Sequence, residues 1–153
     1  MNYESEFVSL IESVTSAAEK PICRDDFEIV DWGVPHKPPN LPTGKMAVYV
    51  FIHDGRFLKI GKVSAKNNAR YQYMHYNPGL SSVSTLAKSI LNDRAFLAHQ
   101  EISENGIGEW IRQSCRRIDI LLDGKFGVFA LNLIESALQY RYEPKYEGFA
   151  SQR

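Results

Sequence analysis

The chain has 153 residues, 44% of them hydrophobic, which is enough for one domain with a real core. Its lysines and arginines equal its acids, and the formal net charge of zero argues against a protein that coats nucleic acid through bulk charge. Cys23 and Cys115 lack metal-ligand spacing and are too few for a disulfide framework, and no signal segment or bilayer-spanning run is evident, so the expectation is a cytoplasmic chain with no membrane contact.

The neutral total hides an uneven distribution. Before Pro35 there are eight acids against Lys20 and Arg24; from His36 to His75 there are seven lysines and arginines against Asp54. In the acidic lead, Phe7, Leu10, Ile11 and Val14 recur at helical spacing, and Ala17 and Ala18 continue the apolar side. This predicts a helix ended by Lys20-Pro21. Phe27, Ile29 and Val30 have the composition of a short strand. Gly33 to Gly44 holds four prolines and reads as an irregular connector. Residues 1–44 are therefore expected to be a helix and Pro-rich connector packed on a core formed by 45–153.

Ala47 to Ile52 and Phe57 to Val63 are apolar, β-branched and aromatic runs around Asp54-Gly55, which predicts a β-hairpin. Gly61 inside the second run marks a bulge or a close backbone approach. Lys66-Asn67-Asn68 is a helix entry capped by an asparagine, which puts Arg70 in the first turn. That helix should stop at Asn77-Pro78-Gly79. Ser81-Ser82 offers a cap for a helix bearing Val83, Leu86, Ala87, Ile90 and Leu91, and Ile107, Trp110 and Ile111 mark another amphipathic turn. Ile118 to Leu122 reads as the third strand of the sheet. Residues 128–142 form a helix apolar around most of its circumference, which predicts that it is largely buried. Its narrow polar stripe is Asn132, Glu135, Ser136 and Gln139.

Arg56, Lys59, Lys62, Lys66 and Arg70, interleaved with Tyr49, Tyr71, Tyr73 and Tyr76, suit a phosphate backbone and its bases. They equally suit a solvated hairpin edge protected by lysines. Glu135 lies at the edge of an apolar surface, where an ionised carboxylate needs a cation or donors; a hard divalent ion held by one carboxylate and waters fits, as does a plain surface glutamate.

The ordered set Ala47-Val48-Tyr49, Lys59-Ile60-Gly61, Arg70 and Glu135 resembles the GIY-YIG nuclease family over roughly Lys45 to Gly148. The first motif is degenerate apart from Tyr49, and Lys59 replaces the second motif's tyrosine, as in some members. The resemblance implies an α/β (α+β) fold: a small three-stranded antiparallel sheet flanked by helices, here with an N-terminal helical extension. It also implies an Mg²⁺- (or Mn²⁺-) dependent endonuclease acting on DNA, with RNA the weaker alternative. Tyr49 would deprotonate water, Lys59 would favour its phenolate, Arg70 would clamp the phosphate and Glu135 would hold the metal. The family often has a tyrosine or histidine one turn past the arginine; Met74 stands there, and His75 is chosen as the assisting group. Lys62, Lys66 and Tyr73 are the expected nucleic-acid contacts, and Glu147, where many members have asparagine, is a candidate second acid near the metal. A homodimer is compatible with one small site cutting one strand at a time. Two rival readings stay open: a non-catalytic DNA-binding module on the same fold, and a protein-interaction module whose acidic helix docks a basic partner.

Overall fold

The computed structural model describes residues 2–37, 39–79 and 85–147. The expected hairpin is its centre: β2 (Lys45–His53) turns at Asp54-Gly55 into β3 (Arg56–Val63). Both turn residues have positive φ, 47° and 74°, the backbone twist that matches flanking strands in a two-residue hairpin loop. A register irregularity between Phe51 and Ile52 leaves Leu58 as an extra residue on β3, so that residues 47–53 of β2 face 56–63 of β3. β4 (Arg116–Asp123) pairs antiparallel with the other edge of β2.

The sheet has four strands rather than three. β1 (Phe27–Gly33) pairs antiparallel with β4, giving the order β1-β4-β2-β3. The leading segment thus supplies an edge strand: without it, β4 would present its own unpaired backbone groups. Of β1, Phe27 is buried while Glu28 and Asp31 are exposed, a short half-covered pattern that fits its edge position.

Helices cover both faces. Val48, Val50, Ile60, Ile118, Ile120 and Leu122 point to one side, where α1 (Tyr3–Ala17) and α6 (Gly127–Tyr142) bring Phe7, Ile11, Leu131, Ile134 and Leu138. Ala47, Tyr49, Phe51 and Leu121 point to the other. There they meet Tyr71, Leu86, Ile90, Ile107 and Ile111 from α2 (Asn68–Gln72), α3 (Leu86–Leu91) and α5 (Ile107–Ser114). Buried between these layers, β2 is inaccessible from Met46 through Ile52. The short α4 (Arg94–Leu97) is capped by Asp93, whose side chain accepts the Phe96 amide.

Three local expectations change. α1 ends at Ala17, before Lys20-Pro21, and Ala17 and Ala18 are exposed. Thr15 takes the buried position instead: its hydroxyl donates to the Ile11 carbonyl and accepts from the Ile22 amide. After Arg70 the helix lasts only to Gln72, and Met74–Tyr76 form a separate 3₁₀ turn that closes at Asn77. α6 is not largely buried. Leu131, Ile134 and Leu138 face the sheet, but Phe129 and Tyr140 are 85% and 89% exposed, because a sheet face covers only one stripe of a helix. The expected cap at Ser81-Ser82 lies outside the described residues; α3 begins under a Thr85 cap, whose hydroxyl accepts the Lys88 amide. Among the described residues no helix is long and apolar enough to cross a membrane.

Candidate active site

Tyr49 and Gly61 are directly opposed across the hairpin. The Tyr49 ring crosses over the glycine, and a Cβ built there would lie 2.3 Å from the phenolic oxygen. The signal read from Gly61 in the sequence, a close approach, is thus a side chain resting on bare backbone. The Asn67 side chain accepts the Arg70 amide and starts α2, as its sequence predicts. This orients Arg70 so that its Nε donates to the Tyr49 hydroxyl at 3.3 Å. Tyr49 is fully buried. Burial pushes its phenol above the ordinary value; Arg70 pulls it down, and the Glu147 and Glu135 carboxylates push it up.

The cation bonded to that phenol is Arg70, and Lys59 pairs with a carboxylate. Lys59 is 2% exposed, and its ammonium meets Glu147 Oε1 at 2.7 Å. Glu147 is carried there by the tail after α6, whose Lys145 and Tyr146 amides donate to the Phe57 and Leu58 carbonyls on the outer edge of β3. Lys62 points to the other face of the hairpin and forms an ion pair and hydrogen bond with Glu135. One turn further along α6, Gln139 donates to the Ile60 carbonyl at 2.9 Å. The rim of β3 therefore holds two lysine–glutamate pairs, one on each face, and both carboxylates act electrostatically on the Tyr49 phenol. Glu147 belongs to this group as firmly as Glu135; its sequence signal is the resemblance, which places it where many members have asparagine.

His75 does not stand at the end of a helix. It lies in the 3₁₀ turn, 1% exposed, with its ring centroid 4.5 Å from that of Tyr49. Nδ1 accepts the Leu86 amide at 3.4 Å, and Nε2 has no hydrogen-bond partner among the described residues. Burial, with Lys59, Arg70 and Arg117 nearby, holds the imidazole well below its ordinary value, so it is neutral. Lys66 is exposed before α2, and Tyr73, at the C-terminal end of α2, is also exposed.

Beneath this group lies a buried polar network that the sequence hides inside an apolar strand. Arg117 and Asp119, both fully buried on β4, pair at 2.9 Å. Trp32 Nε1 donates to the same carboxylate at 2.7 Å. Arg117 Nη1 donates to the Tyr76 hydroxyl at 2.9 Å, and His36 Nε2 lies 2.9 Å from that hydroxyl. His36 Nδ1 is 2.8 Å from the Cys115 carbonyl. A carbonyl can only accept, so Nδ1 carries the hydrogen and the Tyr76 hydroxyl donates to Nε2. The Arg117 guanidinium also lies over the Tyr71 ring, 4.6 Å from its centroid. Arg117 and Asp119 alternate with apolar residues on β4, a pattern that letter by letter looks like a half-exposed strand.

Among the described residues no cluster of three His, Cys, Asp or Glu side chains is arranged around a metal position. Glu135 nevertheless meets the donor chemistry of Mg²⁺, a hard ion commonly held through one or two carboxylates while keeping waters. The ammonium of Lys62 already occupies a cation position on it. No family model, curated protein or solved structure matches the chain.

Proposed function

We propose that this chain is a divalent-metal-dependent endonuclease that hydrolyses phosphodiester bonds of DNA. The observation that carries the reading is the contact of Arg70 with Tyr49 over Gly61, which draws three separated parts of the ordered motif set into one place. The two acidic partners of Lys59 and Lys62 lie around it.

In hydrolysis a water oxygen bonds to phosphorus, the bond to the leaving oxygen breaks, and the proton lost by water ends on that leaving group. Arg70 is the clamp: its planar fork gives directed donors to a non-bridging oxygen as charge builds there. Tyr49 fixes the direction of that fork and positions the water. Its proton is held tightly as long as burial and two carboxylates oppose ionisation. Offsetting the charge of Glu135 removes one of those oppositions while Arg70 continues to favour the phenolate. Glu135 would hold the Mg²⁺ or Mn²⁺, whose contribution when bound is Lewis-acid polarisation of the phosphate and stabilisation of the leaving oxygen. Lys59, tied to Glu147, keeps that carboxylate in place rather than acting on the phenol. His75, neutral and packed on Tyr49, supports the ring.

A plasmid-nicking assay with Mg²⁺ or Mn²⁺ tests the proposal. Nicking that stops in EDTA and falls about 10²–10³-fold in Arg70→Ala is the expected result. Nicking unaffected by EDTA or by the substitution would overturn it.

A second reading is a non-catalytic DNA-binding or protein-interaction module. Its support is the self-neutralisation of the site: both glutamates are paired with lysines and Tyr49 is fully buried. DNA binding with no cleavage in any divalent metal would favour it.

A further inference from the structure

Arg70 and Tyr73 stand three residues apart on and just after α2, but they serve different surfaces. Arg70 reaches the phenol of Tyr49, whereas the Tyr73 ring is half exposed. Tyr73 lines a cavity of about 620 Å³, together with Tyr76, Asn77, Asn105, Glu109 and Arg112. Tyr73, Glu109 and Arg112 also line a second cavity of about 390 Å³, in which Lys37 takes part. Both volumes fall in the range of about 300–1,000 Å³ typical of small-ligand sites.

The walls have a consistent chemistry. A Cβ on Gly108 would lie 2.5 Å from the Tyr76 carbonyl oxygen, so α5 packs directly on the backbone of Tyr76. One turn later that approach lays the Arg112 guanidinium over the Tyr76 ring, 4.5 Å from its centroid. Arg112 also faces Glu109 at 3.9 Å, and Glu109 is held by Gln113 at 2.8 Å. Planar groups, an exposed phenol ring and a guanidinium backed by a ring, therefore border the same space as two asparagine amides and the carboxylates of Glu104 and Glu109. Aromatic and guanidinium planes stack on nucleobases, and amide and carboxylate groups pair with base edges.

We propose that Tyr73, Arg112 and the amide-lined cavity beside them bind one unpaired nucleobase of the strand whose phosphate Arg70 holds. The strand as the source of that base rests on the nuclease reading; the nucleobase chemistry of the cavity does not. The substrate class is then DNA with a locally unpaired base, rather than uniform duplex. A base inside an intact helix has both faces stacked, so it cannot enter without the cost of being extruded.

The test uses the full chain in EDTA and the fluorescence of 2-aminopurine. Three probes carry the base: a duplex with 2-aminopurine paired, the same duplex with it unpaired in a bulge, and the free 2-aminopurine mononucleotide. Tyr73 is half exposed and outside the core, so Tyr73→Ala is expected to fold, and Tyr73→Phe preserves the stacking ring. The expected result is tighter binding and stronger quenching for the bulged duplex than for the paired one. Tyr73→Ala should weaken binding to the bulged duplex by about 5- to 150-fold, the loss of one base–aromatic stack, and Tyr73→Phe should restore it. Equal binding of bulged and paired duplex, or wild-type binding by Tyr73→Ala, would overturn the proposal. Binding of the mononucleotide without either duplex would overturn the strand as the source. Adding Mg²⁺ to the same DNAs separates this proposal from the nuclease reading. Tyr73-dependent quenching without cleavage removes the nuclease and leaves the pocket. Cleavage that ignores both the bulge and Tyr73 does the reverse.

Discussion

Gly61 lies beneath the phenol of Tyr49 so closely that an added methyl group would sit 2.3 Å from the hydroxyl oxygen and 2.6 Å from the ring carbon that bears it. Both residues are on paired strands, so neither can move far without disturbing the hairpin register. The space above Gly61 is therefore a fixed seat for one ring.

Gly61→Ala should destabilise the fold by about 1–3 kcal/mol through overpacking. It should also displace Tyr49 from Arg70. Urea unfolding of Gly61→Ala, Tyr49→Ala and the double variant checks this. The double variant should be less destabilised than the sum of the single ones, because Tyr49→Ala removes the atoms the methyl group meets. Strict additivity would show that the clash is relieved some other way.

The Lys62–Glu135 pair competes with any other cation for the same carboxylate. Lys62 is partly exposed, and such pairs contribute about 0.2–1 kcal/mol. In Lys62→Ala the Mg²⁺ concentration for half-maximal nicking should fall about 1.4- to 5-fold at saturating DNA. Glu135→Gln should abolish the Mg²⁺ response. A Mg²⁺ titration in which Lys62→Ala needs more metal than wild type would refute the competition.

Asp119 is fully buried against Arg117, with Trp32 donating to it. Asp119→Ala leaves a buried guanidinium without its counter-charge, and loss of about 3–5 kcal/mol is expected. Denaturant unfolding followed by tryptophan fluorescence measures it. A loss below 1 kcal/mol would mean that water or Tyr76 satisfies Arg117 unaided.

His36 gives the fold a defined acid response. Burial lowers its pKa from the ordinary 6.5 to about 4, so the folded ring stays neutral where the unfolded one takes a proton. Its contribution is present above about pH 6.5 and is lost as pH falls toward 4, on the order of 3 kcal/mol in all. His75, also depressed, acts with the same sign. Urea midpoints of wild type and His36→Gln between pH 4 and 7 isolate the His36 share: the variant should show the shallower slope. Parallel profiles would remove the assignment.

Local signals made the hairpin, the Asn67 cap and the strand at Ile118–Leu122 legible in the sequence, because each depends on neighbours within a few residues. β1 was legible as a strand but not as part of the sheet, since its partner, β4, lies some ninety positions away. Of the site, Tyr49, Gly61 and Arg70 could be read from order and spacing. The partners of Lys59 and Lys62 could not, because opposite charges find one another only after the tail and α6 dock. The placement of His75 was not legible, because the helix ends at Gln72 and a separate 3₁₀ turn sets the buried ring against Tyr49. The apolar composition of α6 implies deep burial, but composition does not reveal how many neighbours a helix will have.

The position of β4 in the sheet bears on how the chain assembles during translation. Residues 116–123 lie between β1 and β2, both made much earlier. On the ribosome the hairpin can form alone, but β1 has no neighbour to join until that stretch has emerged from the exit tunnel. The nascent chain must keep two open strand edges apart until residues 116–123 emerge, and closure of the sheet is a long-range event.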